Sequence, residues 1–368
     1  MKILVTGSNG FIGKNLISQL ATCKNFEVLQ YKRESTAHEL QQAIAEADFI
    51  CHLAGVNRPD DLNDFKRGNT DLTGVLCQIA RNSGRQVPII FASSIHAERS
   101  SPYGASKLAA EQLLLKYSEE TGNPVYIFRL PHVIGKWCRP NYNSVVATFC
   151  HNIAHGLPVQ VDDPSCQLNL VYIDDLIDIF VRIMVEGTSG KPYCEAQPVY
   201  PICVGDLAEQ ILAFKAGRKS LVSERVGAGL TRALYATYIS YLPHDDFTYE
   251  VPRHGDSRGI FVEMLKTQDS GQFSFFTAHP GVTRGGHYHH SKIEKFLVIK
   301  GNARFRFRQI LTHEFHEVHT SGEKSEIVET IPGWTHDITN VGDDEMIVML
   351  WASEIFNHDR PDTYACLV

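Results

Sequence analysis

Residues whose types and spacing could carry chemistry form two groups, one near each end of the chain. The first begins with glycines spaced three apart in TGSNGFIG, directly after the apolar run at residues 3–5. Glycines at such a turn let the backbone approach a pyrophosphate, and the N-terminus of a following helix offers N–H donors and positive potential. The pattern predicts a dinucleotide site at Gly7, Gly10, Phe11, Ile12 and Gly13.

The end of the second predicted strand bears on which dinucleotide is bound. An acidic residue there accepts a hydrogen bond from the ribose 2′-OH, whereas a basic residue accommodates a 2′-phosphate. The sequence at this point is QYKRES, so Lys32 and Arg33 favour NADPH. The alternative is that the two residues form an ordinary solvated basic turn.

A proton donor is predicted within SPYGASKLAAEQLLL. Tyr103 and Lys107 are four residues apart, so they share one face of a helix. A nearby ammonium group, aided by the cofactor ribose, can lower the pKa of a phenol and let tyrosine transfer a proton. Ser94 ends a predicted strand in FASS and could hold the substrate oxygen. An isolated pair of this kind is usually a surface feature, but its place behind a glycine loop favours catalysis.

The second group lies in RGGHYHHSKIEKFLVIKG, residues 284–301. Residues two apart on a strand point to the same side, so His287 and His289 can meet one ion. Together with Glu294, and with His336 from IPGWTHDITN, they form a set that suits Zn²⁺ or another divalent first-row metal. His290 could replace either of the first two histidines, because the sequence does not fix the strand register. The alternative is a solvated histidine-rich loop.

Two kinds of secondary structure must position these groups. Up to about residue 240, strand-like apolar runs alternate with amphipathic helical stretches, which predicts a parallel sheet covered on both faces. After about residue 245, short strands separated by Gly, Pro, Asn and Asp predict an antiparallel sandwich or barrel. The segment YLPHDDF, residues 241–247, is the expected join. The predicted domains are residues 1–245 and 246–368.

Composition limits the classes of partner. The chain has 368 residues, of which 43% are hydrophobic and 21% charged, and its formal net charge is −7. Without a basic block, nucleic acid is not an expected partner. Nine cysteines without a CxxC pair predict free thiols in a reducing cytoplasm. Neither a signal peptide nor an apolar run of about 18 residues is present, so no membrane span is expected.

Residues 1 to about 240 resemble the extended short-chain dehydrogenase/reductases of the nucleotide-sugar branch. The matching segments are TGSNGFIG, ICHLAGV, GNTDLTG, FASS, YGASKLAAE, FRLPHVIG and LVYIDDL. The resemblance implies a Rossmann-type fold and a nicotinamide cofactor, with Leu53, Ala54 and Gly55 among the residues that bind it. It also implies that Ser94 holds the substrate, Tyr103 acts as acid and base, and Lys107 anchors the cofactor.

The chain departs from that family's pattern in three ways. The interval between Ser94 and Tyr103 is short, so a loop over the site is trimmed. The stretch between Arg33 and Asp48 is also short, so one strand of the sheet is expected to be missing. The related 4,6-dehydratases carry an acid just after the serine, whereas this chain has Ile-His-Ala at residues 95–97. Simple carbonyl reduction therefore fits better than elimination.

The tail is similar to two kinds of cupin, a jelly-roll barrel. The spacing from His287 to Gly301, and the later PGWTHDITN, resemble the metal-binding cupin pattern, although Glu326 replaces its usual second glycine. HGDSRGIFVE and GVTRGGHYH resemble the cupin epimerases of 4-keto-6-deoxy nucleotide sugars. That resemblance implies that His287 is a general base without a metal, and that Arg258 and Arg284 hold the nucleotide diphosphate or the substrate. The role of His287 is thus open, and the two arginines could instead form structural salt bridges.

The two-domain layout resembles the bifunctional epimerase/reductases of capsular polysaccharide synthesis, in the UDP-N-acetyl-L-fucosamine branch. The resemblance implies a UDP-2-acetamido-2,6-dideoxy-4-hexulose substrate, NADPH and a metal-bearing cupin, and cupin pairing predicts a homodimer. Two alternatives stay open. One is a 4-ketoreductase whose cupin only dimerises the protein, and the other is a non-enzymatic nucleotide-sugar or redox sensor.

Overall fold

The computed structural model of the protein describes residues 1–187, 191–359 and 361–368. These residues form two compact units. The N-terminal unit comprises Met1–Ile211 and Arg232–Pro243, and the C-terminal unit comprises Leu212–Thr231 and His244–Val368. No helix in the described ranges is long and apolar enough to cross a membrane.

The N-terminal unit is built on a six-stranded parallel sheet in the order β2-β1-β3-β4-β5-β8, with a small sheet β6-β7-β9 beside it. Its strands are β1 (Lys2–Thr6), β2 (Glu27–Tyr31), β3 (Phe49–His52), β4 (Ile89–Ser94), β5 (Val125–Leu130), β6 (His132–Ile134), β7 (Gln167–Tyr172), β8 (Tyr193–Cys194) and β9 (Tyr200–Cys203). Its helices are α1 (Phe11–Ala21), α2 (Ala37–Glu46), α3 (Asn63–Phe65), α4 (Leu72–Asn82), α5 (Pro102–Thr121), α6 (Val145–Ala154), α7 (Ile173–Glu186), α8 (Val204–Ser220, which continues into the other unit) and α9 (Gly229–Ile239, likewise shared). The predicted Rossmann-type α/β fold is confirmed.

The edge of the parallel sheet explains one departure from the family pattern. Residues 33–48 contain a single helix, α2, and the chain then returns to β3 on the far side of β1. Strand β2 is therefore the edge strand, as expected from the shortness of this segment. Helix α2 buries Leu40 and Ile44 in the apolar core of this part.

Helix α5 carries the predicted Tyr-Lys pair, and its start is fixed by local chemistry. The Ser101 hydroxyl accepts a hydrogen bond from the Gly104 N–H at 3.0 Å, and Pro102 occupies the first turn, where its missing N–H costs nothing. Further along, the fully buried Glu111 carboxylate accepts hydrogen bonds from the Arg129 guanidinium of β5 at 2.7–3.2 Å. These contacts fix the rotation of α5 against the sheet, so one face points toward the carboxyl ends of the strands.

The C-terminal unit is all-β except for its helical segments before residue 248. A seven-stranded sheet runs β10-β12-β13-β20-β15-β18, with β11 paired to β12, and a five-stranded sheet runs β17-β16-β19-β14-β21. Its strands are β10 (Val222–Ser223), β11 (Arg253–Asp256), β12 (Gly259–Thr267), β13 (Gln272–Ala278), β14 (Thr283–Tyr288), β15 (Glu294–Lys300), β16 (Asn302–Gln309), β17 (Phe315–Ser321), β18 (Val328–Glu329), β19 (Trp334–Asn340), β20 (Met346–Ala352) and β21 (Tyr364–Ala365). Side chains from both sheets share one core, which confirms the predicted jelly-roll class.

Strands β14 and β19 carry little of the sequence pattern that indicates a strand, and the reason is chemical. The strand expected around His287 and His289 ends at Tyr288, so it includes His287 but not His289. The sequence TRGGHY lacks apolar alternation, and WTHDITN buries polar residues at almost every position. Inward-facing positions that normally hold Val or Leu hold histidine, threonine and asparagine here, so the usual period-2 signal is absent. Residues of the site therefore occupy the positions whose apolar side chains would otherwise indicate a strand.

Candidate reductase site and metal centre

Most of the predicted nucleotide and catalytic residues of the N-terminal unit line one cavity of about 560 Å³, but Lys32, Arg33 and Ala54 are not on its wall. It opens at the carboxyl ends of the parallel strands, which is where ligands bind in sheets of this class. The predicted residues on its wall are Gly7, Gly10, Phe11, Ile12, Gly13, Leu53, Gly55, Ser94, Tyr103 and Lys107. The sequence placed these residues in four separate segments, and the fold brings them together.

The loop after β1 has glycines at positions where a side chain would collide with neighbouring backbone atoms. Gly7 has a φ of +68°, and a Cβ atom there would lie 2.7 Å from the backbone of Ala54. A Cβ atom on Gly13 would lie 2.3 Å from the Gly7 carbonyl oxygen. The loop therefore packs directly against residues 53–54, and Ala54 supports the loop through its N–H, which donates to the Thr6 hydroxyl at 3.2 Å.

The three predicted catalytic side chains are adjacent in this cavity. Ser94, Tyr103 and Lys107 all line its wall, and the Ser94 hydroxyl accepts a hydrogen bond from the His96 N–H at 3.2 Å. Lys107 is buried, and its ammonium group donates to the Ala92 carbonyl oxygen at 2.9 Å. A ketone oxygen placed at Ser94 and Tyr103 would have two hydroxyl donors, while Lys107 stands one helical turn deeper.

Burial changes the pKa values of Tyr103 and Lys107 in directions that favour carbonyl reduction. Burial raises the pKa of Tyr103, and the hydrogen bond with Ser94 partly opposes that rise. Burial lowers the pKa of Lys107 to about 8, against the opposing charge of Glu111. A phenol that stays protonated at neutral pH is the form needed to donate a proton to a new alkoxide.

Asn69 supports the site from behind the cavity wall, a role that the sequence analysis did not give it. It is buried in a single π-helical segment, Lys66–Asp71, and its side-chain amide donates to Ser106 Oγ at 2.9 Å and accepts from the Val56 N–H at 2.8 Å. It thus ties α5 to the loop after β3. The sequence signal that could have identified Asn69 is the segment GNTDLTG, which matches the family pattern. In the structure the first part of this segment is π-helical, and such irregularities concentrate at functional sites.

Lys32 and Arg33 lie in the exposed turn after β2, next to the glycine loop. The Gly7 N–H donates to the carbonyl oxygen of Tyr31 at 3.1 Å, which holds the end of β2 against that loop. Both basic side chains are exposed. Their placement is compatible with recognition of a ribose 2′-phosphate.

The four predicted metal ligands converge inside the C-terminal unit. His287 of β14 pairs with His336 of β19 in one sheet, Glu294 begins β15 in the other, and His289 lies in the connection between them. One ligand atom from each lies within 4.8 Å of the others. That spread fits an ion with bonds of about 2.0–2.2 Å to nitrogen and oxygen.

Unpaired polar atoms support a ligand role. Nε2 of His289 and both ring nitrogens of His336 are buried without a hydrogen-bond partner in the described parts of the chain. The two Nε2 atoms lie 3.3 Å and 3.4 Å from Glu294 Oε2, without hydrogen-bond geometry. Buried polar atoms without a partner are costly, so a group that accepts their lone pairs is expected. The donor set fits a divalent first-row metal.

His287 differs from the other two imidazoles in its exposure to solvent. It is half-buried and lines a cavity of about 450 Å³, together with Glu294 and Lys292. Burial lowers the pKa of His287 to about 4, with His336 acting in the same direction. His289 and His336 are buried. The geometry therefore allows His287 either to ligate an ion or to meet a substrate in the cavity.

The remaining predicted residues fall outside the cluster. His290 is exposed, and its ring packs against Tyr288 and Tyr364. Arg258 is paired with Asp256, and Arg284 donates to the Thr277 carbonyl oxygen at 3.1 Å. Burial lowers the pKa of Arg284, and the positive charge of Arg258 acts in the same direction.

Comparisons with known proteins agree for both halves. Residues 3–195 match the NAD dependent epimerase/dehydratase family, and residues 254–364 match the polysaccharide biosynthesis C-terminal domain. The chain is 60% identical, over 100% of its length and 99% of the relative's, to UDP-2-acetamido-2,6-beta-L-arabino-hexul-4-ose reductase of Pseudomonas aeruginosa.

Solved structures show the same likeness. The capsular polysaccharide assembling protein CapF from Staphylococcus aureus is 40% identical, with a TM-score of 0.93 over 100% of both chains. A UDP-glucuronic acid 4-epimerase from Bacillus cereus, in complex with NAD, matches 66% of this chain and 98% of its own with a TM-score of 0.56. At 19% identity the latter match supports the fold alone. The resemblance predicted from the sequence is confirmed.

The ligand assignment predicts unequal effects of two histidine substitutions. We expect His336→Ala to remove most zinc binding and most of the rise in melting temperature that zinc gives to the metal-free protein, because it removes a buried ligand. His290→Ala is the matched control and should retain both properties. Calorimetric zinc titration and thermal unfolding measure them, and equal binding by the two variants would contradict the assignment.

Proposed function

This chain belongs to the NAD-dependent epimerase/dehydratase family, and from that premise we propose that it is a bifunctional nucleotide-sugar enzyme. The proposed C-terminal reaction is epimerisation of a UDP-2-acetamido-2,6-dideoxy-4-hexulose at C3. The proposed N-terminal reaction is reduction of its C4 ketone with NADPH, which yields a UDP-linked 6-deoxy amino sugar for a capsular polysaccharide. The names of the relatives from Pseudomonas aeruginosa and Staphylococcus aureus support the substrate and the product's use.

The reductase half rests on one observation, the joint placement of Ser94, Tyr103 and Lys107 on the wall of the glycine-loop cavity. Ser94 and Tyr103 would hold the C4 oxygen by hydrogen bonds, and Tyr103 would donate its proton to that oxygen as the alkoxide forms. Lys107 would anchor the cofactor ribose and stabilise the phenolate left on Tyr103. NADPH supplies the hydride when it is bound.

The C-terminal unit supplies what the reductase lacks, a buried group of bases beside a cavity. We assign the metal to His289, Glu294 and His336, a three-residue set of the kind found in catalytic sites, and we assign proton removal to His287. His287 would take the C3 proton while the bonding electrons move onto the C4 oxygen as an enolate. A proton taken from solvent on the opposite face of C3, with loss of the His287 proton to solvent, would complete the inversion. A bound divalent ion would add Lewis acidity at this oxygen.

The chemistry sets the order of the two reactions. A proton on C3 is acidic only while C4 is a ketone, because the carbonyl takes up the charge of the carbanion. After reduction at C4, a histidine base can no longer remove the C3 proton. Epimerisation must therefore precede reduction, and the reduction fixes the configuration at C3.

A homodimer is also proposed, through the outward face of the seven-stranded sheet. Phe273, Phe275, Leu297, Met349 and Trp351 are aligned by the strand register on the face opposite the core, and none is fully buried. An apolar sheet face of this kind is typical of an interface. Sedimentation that gives a monomer at micromolar concentration would contradict this proposal.

The reductase assignment predicts a specific loss in Tyr103→Phe. We expect NADPH oxidation with the keto sugar to fall roughly 100- to 10,000-fold, because the proton donor is absent, while the dissociation constant for NADPH changes little. Stopped-flow absorbance and fluorescence titration measure the two quantities. A non-enzymatic sensor predicts no turnover in the wild type either, so turnover that depends on Tyr103 excludes it.

Equal affinity for NADH and NADPH would argue against the roles of Lys32 and Arg33.

The epimerase assignment predicts isotope exchange without reduction. In heavy water and without NADPH, the wild type should introduce deuterium at C3 of the keto sugar, and His287→Ala should do so roughly 100-fold more slowly or worse. The same variant should still reduce the C4 ketone, since its N-terminal site is intact. Mass spectrometry and NMR of the sugar follow both reactions. Wild-type exchange no faster than in buffer would leave a reductase with a structural C-terminal unit.

A further inference from the structure

A short C-terminal segment, residues 361–366, lies against the loop that carries part of the proposed metal centre. The loop is residues 289–292, between β14 and β15. About 70 residues of chain separate the two segments, which are joined by hydrogen bonds from several donors. Strand β21 continues the contact by pairing with β14, where Tyr364 lies opposite Tyr288.

The carboxylate of Asp362 organises the loop through four hydrogen bonds. It accepts from the backbone N–H groups of His290 at 2.8 Å, Ser291 at 2.7 Å and Lys292 at 2.8 Å. The Ser291 hydroxyl donates a fourth bond at 2.9 Å. A carboxylate offers only acceptors, so it suits a turn whose N–H groups converge on one point. These bonds fix the path of the backbone between His289 and Glu294.

The main chain of Asp362 acts on a proposed ligand directly. Its carbonyl oxygen lies 2.5 Å from Nδ1 of His289. A carbonyl oxygen can only accept, so Nδ1 must carry the hydrogen, and Nε2 keeps its lone pair. That Nε2 atom is the buried one that lies 3.3 Å from Glu294 Oε2. The contact therefore selects the tautomer of His289 that can bind a metal.

The neighbouring residue acts on a second proposed ligand. Thr363 Oγ1 accepts a hydrogen bond from the Lys292 ammonium group at 2.8 Å, and that group lies 3.7 Å from Glu294 Oε1. Lys292 is buried, so its charge needs such partners. The ammonium group faces one oxygen of Glu294 while His289 and His336 face the other. Thr363 thereby helps orient the carboxylate.

We propose that Asp362, assisted by Thr363, is the positioning residue of the metal centre, holding His289 and Glu294 in ligand geometry before a metal arrives. This inference rests on the proposed metal site. It goes beyond that site because Asp362 supplies no ligand atom of the cluster. Outer partners of this kind typically change metal affinity by roughly 10- to 100-fold when removed.

The test compares zinc affinity in full-length variants freed of metal. Asp362→Asn keeps the size and main chain of the residue but places an amide N–H₂ group among four donors, so the loop should loosen. We expect its dissociation constant for zinc to rise roughly 10- to 100-fold, measured by competition with a chromophoric chelator. The visible spectrum of the cobalt-loaded variant should match that of the wild type, because the donor atoms are unchanged.

Two controls separate positioning from general damage. Asp359→Asn makes the same chemical change at an exposed position three residues away and should leave zinc affinity unchanged. His289→Ala removes a ligand and should alter the cobalt spectrum as well as the affinity. Should Asp362→Asn fail to fold, Thr363→Val tests the second arm, and its expected result is a smaller weakening at an unchanged metal-free melting temperature.

The outcomes distinguish this inference from the metal site itself. Stoichiometric zinc in the wild type with equal affinity in Asp362→Asn would overturn the positioning role and leave the metal site standing. If Asp362→Asn does not fold, a folded Thr363→Val variant that binds zinc with wild-type affinity would also overturn the positioning role. Absence of zinc binding in the wild type at pH 7 would refute the metal site, and the inference with it.

Discussion

The burial of one charged side chain in each unit is the constraint on which both sites depend. Lys107 in the N-terminal unit and Glu294 in the C-terminal unit are each less than a tenth exposed. A buried charge costs several kcal/mol unless partners compensate it, so each of these two side chains requires polar or charged neighbours. Lys107 has the Ala92 carbonyl oxygen and the charge of Glu111. Burial raises the pKa of the Glu294 carboxyl group, and the Lys292 ammonium group, 3.7 Å from Oε1, acts in the opposite direction.

In the proposed function, the two charges serve successive reactions on one sugar. The proposed C-terminal reaction needs electrons to move onto a carbonyl oxygen, and the proposed N-terminal reaction then removes that carbonyl. A ketone is thus the shared requirement, and it exists only before reduction. If both proposed reactions take place, carrying both sites on one chain would limit the time for which a reactive keto sugar is free in solution. Neither site needs the other for its own geometry, since each cavity is lined within a single unit.

Support from outside the reacting groups is a feature of both sites. Helix α5 is held by Glu111 against Arg129 of β5, and its Ser106 is tied through Asn69 to the loop after β3. In the C-terminal unit the equivalent support comes from Asp362, far along the chain. In each case a side chain outside the reacting group uses most of its hydrogen-bonding capacity on backbone or neighbouring polar groups. A catalytic group held in this way keeps its orientation without substrate.

The sequence alone determined the classes of chemistry, because short motifs carry their own geometry. A glycine loop after a strand, a tyrosine and lysine one helical turn apart, and two histidines two residues apart are all local patterns. They predicted nearly every residue of the two clusters, while the order of apolar runs, helical stretches and turn residues predicted the parallel-sheet fold and the all-β tail. Only the tertiary structure decided that His287, rather than His289 or His336, faces the C-terminal cavity, that His290 points away, and that Asn69 and Asp362 support the sites. Those facts depend on strand register, on burial and on contacts between residues up to about 70 positions apart, and local sequence patterns do not encode them.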